Sequence, residues 1–252
     1  MGDDWQVITG DCLEVMPTLA AGSVDAILTD LPYGTTACSW DSVIPFEPMW
    51  AAVKHVLKPR GVFVTTASQP FTSALVMSNV KWFRCSLVWD KVTTTGFYNV
   101  RNKPLRRHED LCVFGAAPDT YNPQMSEGTK YSVKNGKPHT TGVYGTLKLL
   151  DHKNSGVRYP TSIVPITNSN KVFPKTHPTQ KPVALYEYLI RTYTNEGELV
   201  LDMCAGSGTT GVAAINTGRR VICIEQREDY ATIARARIAK AAEQARQEPL
   251  PL

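Results

Sequence analysis

The chain has 252 residues, of which 42% are hydrophobic, enough to bury the core of one α/β domain. It contains no run of about 20 apolar residues, and its opening segment, Met1-Gly2-Asp3-Asp4, lacks the basic and apolar stretches of a signal peptide. We therefore expect a cytoplasmic protein with no membrane partner. The six cysteines form no Cys-x-x-Cys pair, which predicts neither a metal site nor a disulfide scaffold.

Strand-like and helix-like patterns alternate through the first half of the chain. The expected strands are Trp5–Thr9, 25–29, 62–66, 83–89 and 111–114. The expected helices are 13–19, 46–57 and 69–79, the second of them ended by Pro59 and Gly61. The strands at 83–89 and 111–114 are expected to pair antiparallel at one edge of a sheet.

Two more strands and two more helices are predicted near the end of the chain. A helix at 182–194 precedes a strand at Leu199–Asp202, and a strand at 220–224 precedes a helix at 230–246. These two strands and the five expected upstream make seven. The sequence therefore predicts the α/β class with a mostly parallel seven-stranded sheet.

The segment Asp30-Leu31-Pro32-Tyr33 follows the second predicted strand directly. Ligands of open α/β sheets bind outside the carboxyl ends of the strands, so this segment would face a substrate. It suits the exocyclic amine of a nucleobase, because the Asp30 carboxylate and the Leu31 carbonyl would accept its hydrogens while Tyr33 stacks on an extruded base. Pro32 would stiffen the turn. The same four residues also fit an ordinary strand exit.

A glycine loop lies between the strand ending at Asp202 and a helical pattern. The loop consists of Cys204, Ala205, Gly206, Ser207, Gly208, Thr209, Thr210 and Gly211. Glu225 ends the next strand about 20 residues later, where an acid can bind ribose hydroxyls. This spacing matches the dinucleotide fingerprint, so an NAD-dependent dehydrogenase is a rival interpretation.

The position of the glycine loop argues against a dehydrogenase. After Glu225 only the helix at 230–246 remains, whereas a dehydrogenase half needs further strands behind its glycine loop. Those strands must come from the N-terminal part, where the first two strands lead into Asp11 and Asp30. The chain therefore looks circularly permuted.

Four separate segments together resemble the S-adenosylmethionine-dependent DNA amino-methyltransferases in which the catalytic motif precedes the cofactor glycine loop. Asp30-Leu31-Pro32-Tyr33 resembles their acid-Pro-Pro-aromatic motif, with Leu31 in place of the usual second-position proline. The segments 10–13, 177–182 and 202–210, the last together with Glu225, resemble their early acidic strand end, their lead into the cofactor helix and their cofactor half. The resemblance implies a circularly permuted Rossmann-like methyltransferase with an inserted target-recognition region.

The same resemblance implies a role for each matching residue. Asp30, Leu31, Pro32 and Tyr33 would be catalytic, and Asp30, where a serine would suggest cytosine, favours the N6 amine of adenine. The loop would approach the methionine part of S-adenosylmethionine, with Glu225 at the ribose, Asp11 at the adenine amine and Lys181 near the carboxylate. The implied cofactor residues are Asp11, Cys12, Asp30, Lys181, Asp202, Cys204, Ala205, Gly206, Ser207, Gly208, Thr209, Thr210 and Glu225.

The middle of the chain is basic, although the formal net charge is only +4. Tyrosine, glycine and proline are interleaved with the cations there, which indicates an irregular insertion rather than helix. We assign 116–175 to target recognition, between a catalytic half at 1–115 and a cofactor half at 176–252. The expected phosphate contacts are Lys130, Lys134, Lys137, Lys148, Arg106 and Arg107. A solvated lysine-rich loop would have the same composition, and Lys91 is assigned to the surface.

The resemblance also implies partners and leaves alternatives open. The substrate would be double-stranded DNA with its target base flipped; a homodimer and a cognate restriction enzyme both fit. The alternatives are a cytosine-N4 DNA methyltransferase, an RNA methyltransferase, a catalytically silent nucleic-acid-binding partner and the NAD-dependent dehydrogenase.

Overall fold

The computed structural model describes residues 4–36, 38, 41–117, 120–134, 139–141, 145–147, 152–168 and 180–247. The chain forms two compact units. The larger one comprises Met1–Asn122 with Ser162–Leu252, and the smaller one is Pro123–Thr161. No helix within the described ranges is long and apolar enough to cross a membrane.

The elements follow the expected alternation of strands and helices. The strands are β1 (Trp5–Thr9), β2 (Val24–Asp30), β3 (Leu57–Ala67), β4 (Phe83–Thr95), β5 (Arg106–Phe114), β6 (Ser126–Glu127), β7 (Tyr131–Val133), β8 (His139–Thr141), β9 (Gly145–Leu147), β10 (His152–Asn154), β11 (Val157–Arg158), β12 (Ile163–Pro165), β13 (Leu199–Asp202) and β14 (Arg220–Glu225). The helices are α1 (Cys12–Val15), α2 (Phe46–Val56), α3 (Phe71–Ser78), α4 (Val183–Tyr193), α5 (Thr209–Asn216) and α6 (Glu228–Gln247), with 3-10 turns at Met16–Thr18 and Phe97–Asn99.

The larger unit is built on one sheet in the order β1-β14-β13-β2-β3-β5-β4-β12. All neighbours pair parallel except β5, which runs antiparallel to both β3 and β4. The mostly parallel α/β fold is therefore confirmed. The seven predicted strands are all present, and β12 adds a short eighth at the edge. The last strands of the chain lie between the first two, which is the permuted order that the sequence predicts.

Both faces of the sheet are covered by helices, which explains why its central strands are apolar without strict alternation. In β2, Ala26 and Leu28 face a core shared with α4, α5 and α6, while Ile27 faces a core shared with α2 and α3. The carboxyl ends of the parallel strands therefore lie at the same edge of the sheet, and each follows a buried strand.

Strand β3 begins earlier than expected and includes Pro59, which was predicted to separate it from α2. The pairing with β2 shifts register between Val24 and Ala26, so the ladder is irregular at the start of β3. Gly61 permits the close approach of the two strands here, because a Cβ at this position would lie 2.7 Å from the carbonyl oxygen of Asp25. Strands β4 and β5 are also longer than predicted, and they form a hairpin that extends to Thr95 and Arg106.

The smaller unit contains three antiparallel two-stranded pairs: β6 with β11, β7 with β10, and β8 with β9. Short strands with irregular connections are what the tyrosine- and glycine-rich composition indicates. The unit lies inside the predicted insertion at 116–175 and is narrower than it, since β12 joins the main sheet. Its role in target recognition stays a prediction.

Candidate active site

A cavity of about 1040 Å³ opens at the carboxyl ends of the parallel strands. Residues directly after β1, β2, β13 and β14 line it, as do residues of the β4–β5 hairpin and the start of the segment that leads to α4. Ligand pockets are commonly about 300–1,000 Å³. The cavity therefore has room for a nucleotide-sized ligand together with a second group.

The Asp30 carboxylate, at the tip of β2, receives three side-chain donors. Its Oδ1 accepts from the Tyr33 hydroxyl at 2.8 Å and from the Thr66 hydroxyl, and its Oδ2 accepts from Lys181 Nζ at 2.6 Å. The Asp30 side chain is 26% exposed, so it still faces the cavity. These contacts fix its orientation toward the cavity that Leu31 and Pro32 also line.

Tyr33 is held on both its ring and its hydroxyl. The ring stacks on Phe71 with centroids 5.3 Å apart, and Lys181 Nζ lies 5.5 Å from the Tyr33 ring centroid. Burial, and next the Asp30 charge, raise the pKa of Tyr33 well above its ordinary value. Tyr33 is therefore a neutral donor to Asp30.

A row of alternating charges continues from Asp30 into the β4–β5 hairpin. Lys181 Nζ lies 3.5 Å from Glu109 Oε2, and Lys91 Nζ lies 3.3 Å from Glu109 Oε1. Burial alone would lower the pKa of Lys181, but the Asp30 and Glu109 carboxylates raise it above its ordinary value. Lys181, expected near a cofactor carboxylate, thus donates to the catalytic-motif aspartate in this structure.

The surface assignment of Lys91 is wrong, because this residue is only 2% exposed. Glu109 was missed altogether, although the alternation of side chains along β5 places it on the same face as the buried Leu111. The available signal in the sequence was that Glu109 lies two positions before Leu111, the first residue of the expected strand, and therefore on the same face.

The glycine loop is hydrogen-bonded to the end of β14. Glu225 accepts from the Gly206 amide at 2.7 Å and from the Arg227 amide at 2.9 Å, and Gly206 has a φ of +51° that favours glycine. Glu225, expected at a ribose, therefore also fixes the loop.

Asp202 is buried below the loop. Its Oδ1 accepts from the Thr29 hydroxyl at 2.7 Å and from the Cys204 amide at 3.1 Å. Burial raises the pKa of Asp202 to about 6. Asp11 has a comparable structural contact, since it caps α1 by accepting from the Leu13 amide at 2.8 Å.

All of the expected cofactor residues except Gly208 line the cavity. They are Asp11, Cys12, Asp30, Lys181, Asp202, Cys204, Ala205, Gly206, Ser207, Thr209, Thr210 and Glu225. A Cβ at Gly208 would lie 2.9 Å from Ala234 Cβ, so this glycine permits α5 to pack against α6.

The expected phosphate contacts also differ in their surroundings. Arg106 lines the cavity, whereas Arg107 makes two hydrogen bonds to Asp90, at 2.7 and 2.8 Å. Lys130 and Lys134 are exposed in the smaller unit. Lys137 and Lys148 lie outside the described residues.

Comparison with known proteins decides the family. Residues 24–236, most of the chain, match the N6/N4 methyltransferase family described as DNA methylase. The chain belongs to this DNA methylase family. The match spans both the Asp30 motif and the glycine loop, so it confirms the resemblance drawn from the separate sequence segments.

Individual members are similar over nearly the whole chain. The type II methyltransferase M.HpaI of Haemophilus parainfluenzae is 28% identical, over 93% of this chain and 74% of its own length. The putative methylase YubD of Escherichia coli is 29% identical, over 92% of this chain and 89% of its own length.

Solved structures share the fold at lower identity. The cytosine-N4-specific PvuII DNA methyltransferase has a TM-score of 0.65 and 18% identity, covering 95% of this chain and 92% of its own. The M1.HpyAVI–SAM complex has a TM-score of 0.62 and 24% identity, covering 93% and 98%. The family includes N6 and N4 enzymes, so it establishes methylation of an amine in DNA and leaves the choice of base to the site.

Proposed function

We propose that this DNA methylase transfers a methyl group from S-adenosylmethionine to the N6 amine of adenine in double-stranded DNA, after the target base has flipped out of the helix. One observation carries the proposal: the Asp30 segment and the glycine loop line the same cavity. An acceptor for a base amine and a binding loop for a cofactor thus open onto one space.

The lining of this cavity fits S-adenosylmethionine. Asp11 and Glu225, each at the end of a parallel strand, offer carboxylates for the adenosine part, and the small residues Ala205 and Gly206 allow the methionine part to approach the backbone. When bound, this cofactor supplies an electrophilic methyl group on a sulfonium. A shielded cavity favours loss of the sulfonium charge on transfer.

Asp30 orients the base amine. A carboxylate offers about four acceptor positions, and Tyr33, Thr66 and Lys181 use three of those on Asp30. The remaining position, with the backbone carbonyl of Leu31, can accept the two amine hydrogens and direct the nitrogen lone pair into the cavity. Asp30 can also take up the proton that the methylated amine releases. Orientation and electrostatic stabilisation, rather than strong basicity, are its main contributions.

Adenine is proposed over cytosine because the family motif begins with Asp30 where a serine would suggest cytosine. The test is to incubate the protein with S-adenosylmethionine and unmethylated DNA or RNA, then identify the modified nucleosides by mass spectrometry. We expect N6-methyladenine from DNA. N4-methylcytosine would transfer the proposal to the other amine, and modification of RNA alone would overturn the DNA substrate.

Binding of S-adenosylmethionine, and not of NAD, is expected to raise the melting temperature. A ligand present at about 100 times its Kd stabilises the folded state by about 2.7 kcal/mol. For a chain of this size, that corresponds to roughly 5–10 °C. Thermal melts with each ligand measure this shift in melting temperature. A higher melting temperature with NAD alone would favour the dehydrogenase interpretation instead.

The basic residues of the smaller unit are proposed to contact DNA phosphates. Replacing Lys130, Lys134, Lys137 and Lys148 together by alanine should weaken binding to all DNA sequences and flatten the dependence of log affinity on log salt. Titrations at several salt concentrations measure this slope, and thermal melts check that cofactor binding is retained. An unchanged slope would assign these lysines to a solvated surface.

A cytoplasmic location is part of the proposal, because the protein must have access to its DNA substrate. A homodimer and a cognate restriction enzyme stay expectations of the family resemblance. The proposed domain organisation is a catalytic half at 1–115, a target-recognition region at 116–175 and a cofactor half at 176–252.

A further inference from the structure

The tip of the β4–β5 hairpin presents two adjacent aromatic side chains to solvent. Tyr98 is fully exposed and Phe97 is 64% exposed, and Val100, two residues further along the chain, is also exposed. Apolar side chains scattered singly over a surface need no explanation, but a cluster of them at one loop tip indicates an interaction site.

The charge of this hairpin specifies the kind of partner. Between Lys91 and His108 the sequence contains no aspartate or glutamate, while Arg101, Lys103 and Arg106 add positive charge around the aromatic tip. No ion pair found among the described residues involves these three cations. Aromatic rings beside cations are suited to a nucleic acid, since rings stack on bases and cations bind phosphates.

The base of the hairpin is held firmly. Val92 has a φ of +62°, a conformation that β-branched residues rarely adopt, and its amide donates to Asp90 Oδ1 at 2.8 Å. Arg107 holds the same carboxylate from the opposite strand at 2.7 and 2.8 Å, and the adjacent residue Lys91 is buried, with its Nζ 3.3 Å from Glu109 Oε1. Backbone strain of this kind persists where surrounding contacts enforce it, and it is concentrated at functional sites.

The hairpin is continuous with the candidate active site. Thr93, Thr95 and Arg106 line the cavity that contains Asp30, so the strands of the hairpin form part of its wall. The aromatic tip follows Thr95 closely along the chain and is exposed to solvent.

We infer that the β4–β5 hairpin tip is a DNA-contacting element in addition to the smaller unit. Phe97 and Tyr98 stack on the base pairs left open when the target base is extruded, while Arg101 and Lys103 bind flanking phosphates. Stacking would offset part of the cost of unstacking the target base. The inference rests on the proposed function.

The aromatic role is tested in base flipping. After the methylated sequence has been mapped with the wild-type protein, a duplex of that sequence carrying 2-aminopurine at the target position reports extrusion by its fluorescence. The double variant Phe97→Ala/Tyr98→Ala should abolish most of the fluorescence rise and lower kcat/KM for DNA by at least roughly tenfold, the scale of a lost stacking platform. The melting-temperature shift with S-adenosylmethionine should be unchanged.

Two further variants make this test specific. Met77→Ala/Val80→Ala removes exposed apolar side chains at the end of α3, 73% and 56% exposed, and should behave as wild type. Tyr98→Trp keeps an aromatic ring and should retain base flipping. If the double alanine variant does not fold, Tyr98→Ala alone, at a fully exposed position, replaces it and should also reduce the fluorescence rise, and an unchanged rise would contradict the stacking role.

The cationic role is tested with a non-specific duplex of about 30 base pairs. Arg101→Ala/Lys103→Ala should reduce the slope of log affinity against log salt by about 2, since each phosphate contact contributes roughly 0.9. Lys240→Ala/Arg246→Ala makes the same change of charge on exposed positions of α6, which packs on β1 at the opposite end of the sheet, and should change the slope little.

The outcomes separate the inference from the proposed function. If the wild-type protein methylates DNA and both hairpin variants behave like their controls, the inference is wrong and the function stands. If the wild-type protein methylates no DNA, the proposed function itself fails.

Discussion

Asp30→Ala is expected to lower methyl transfer by at least roughly a hundredfold, the scale of losing one key transition-state hydrogen-bonding group. Asp30 is the point where three donors converge, from Tyr33, Thr66 and Lys181, so its removal takes away the acceptor that these residues hold in place. Lys181 would keep Glu109 as a partner at 3.5 Å, which favours retention of the fold. Single-turnover rates on DNA measure the loss.

The controls for Asp30→Ala separate chemistry from folding. Glu243→Ala removes an exposed carboxylate on α6 and should retain the wild-type rate. Although Asp30 is among the expected cofactor residues, the melting-temperature shift with S-adenosylmethionine should persist in Asp30→Ala, because the glycine loop, Asp11 and Glu225 are untouched. A near wild-type rate for the folded Asp30→Ala protein would overturn the mechanism.

The sequence predicts the strand ends of the site well because each is signalled locally. The bounds of β1 and β13 agree with the expected ones, and Asp30 and Glu225 end their strands as expected. An apolar run followed by an acid and then a turn residue identifies the carboxyl end of a buried strand without knowledge of its neighbours.

The charged row beyond Asp30 was not predictable in the same way. Lys181 reaches Asp30 from 151 positions away, and its contact with Glu109 depends on the order of strands in the sheet. The short strand β12 was missed for the same reason, since its pairing with β4 is non-local and its three residues lie in an irregular region.

Gly208 illustrates a different limit. A glycine in a nucleotide-binding loop can serve close approach to a ligand or close packing of the following helix, and both roles have the same spacing. The packing role of Gly208 becomes visible only in the structure, where Ala234 of the neighbouring helix α6 lies against it. Gly208 is not among the residues that line the cavity, and its packing against Ala234 explains the need for glycine, while its contact with the cofactor stays a prediction.

Glu109→Gln is expected to reduce the free energy of unfolding by about 3 kcal/mol, because it breaks a buried ionic contact and leaves the partner charges inside. The Lys91 and Lys181 side chains are 3% and 11% exposed, and Glu109 lies between them. Without its charge, Lys181 retains Asp30 at 2.6 Å, while among the described residues Lys91 retains only the uncharged Thr95 hydroxyl at 3.3 Å. Urea unfolding measures the loss, and Asp229→Asn, in an exposed pair with Arg227, should leave stability near the wild-type value.

The double variant Lys91→Met/Glu109→Gln decides whether charge is the reason. Methionine fills a volume similar to that of the Lys91 side chain without its ammonium, so the double variant removes one positive and one negative charge together. It should therefore be more stable than Glu109→Gln alone, and the two substitutions should be coupled in a double-mutant cycle. If their effects simply add, Lys91 and Glu109 do not stabilise one another. Glu109 would then contribute to stability through Lys181 alone.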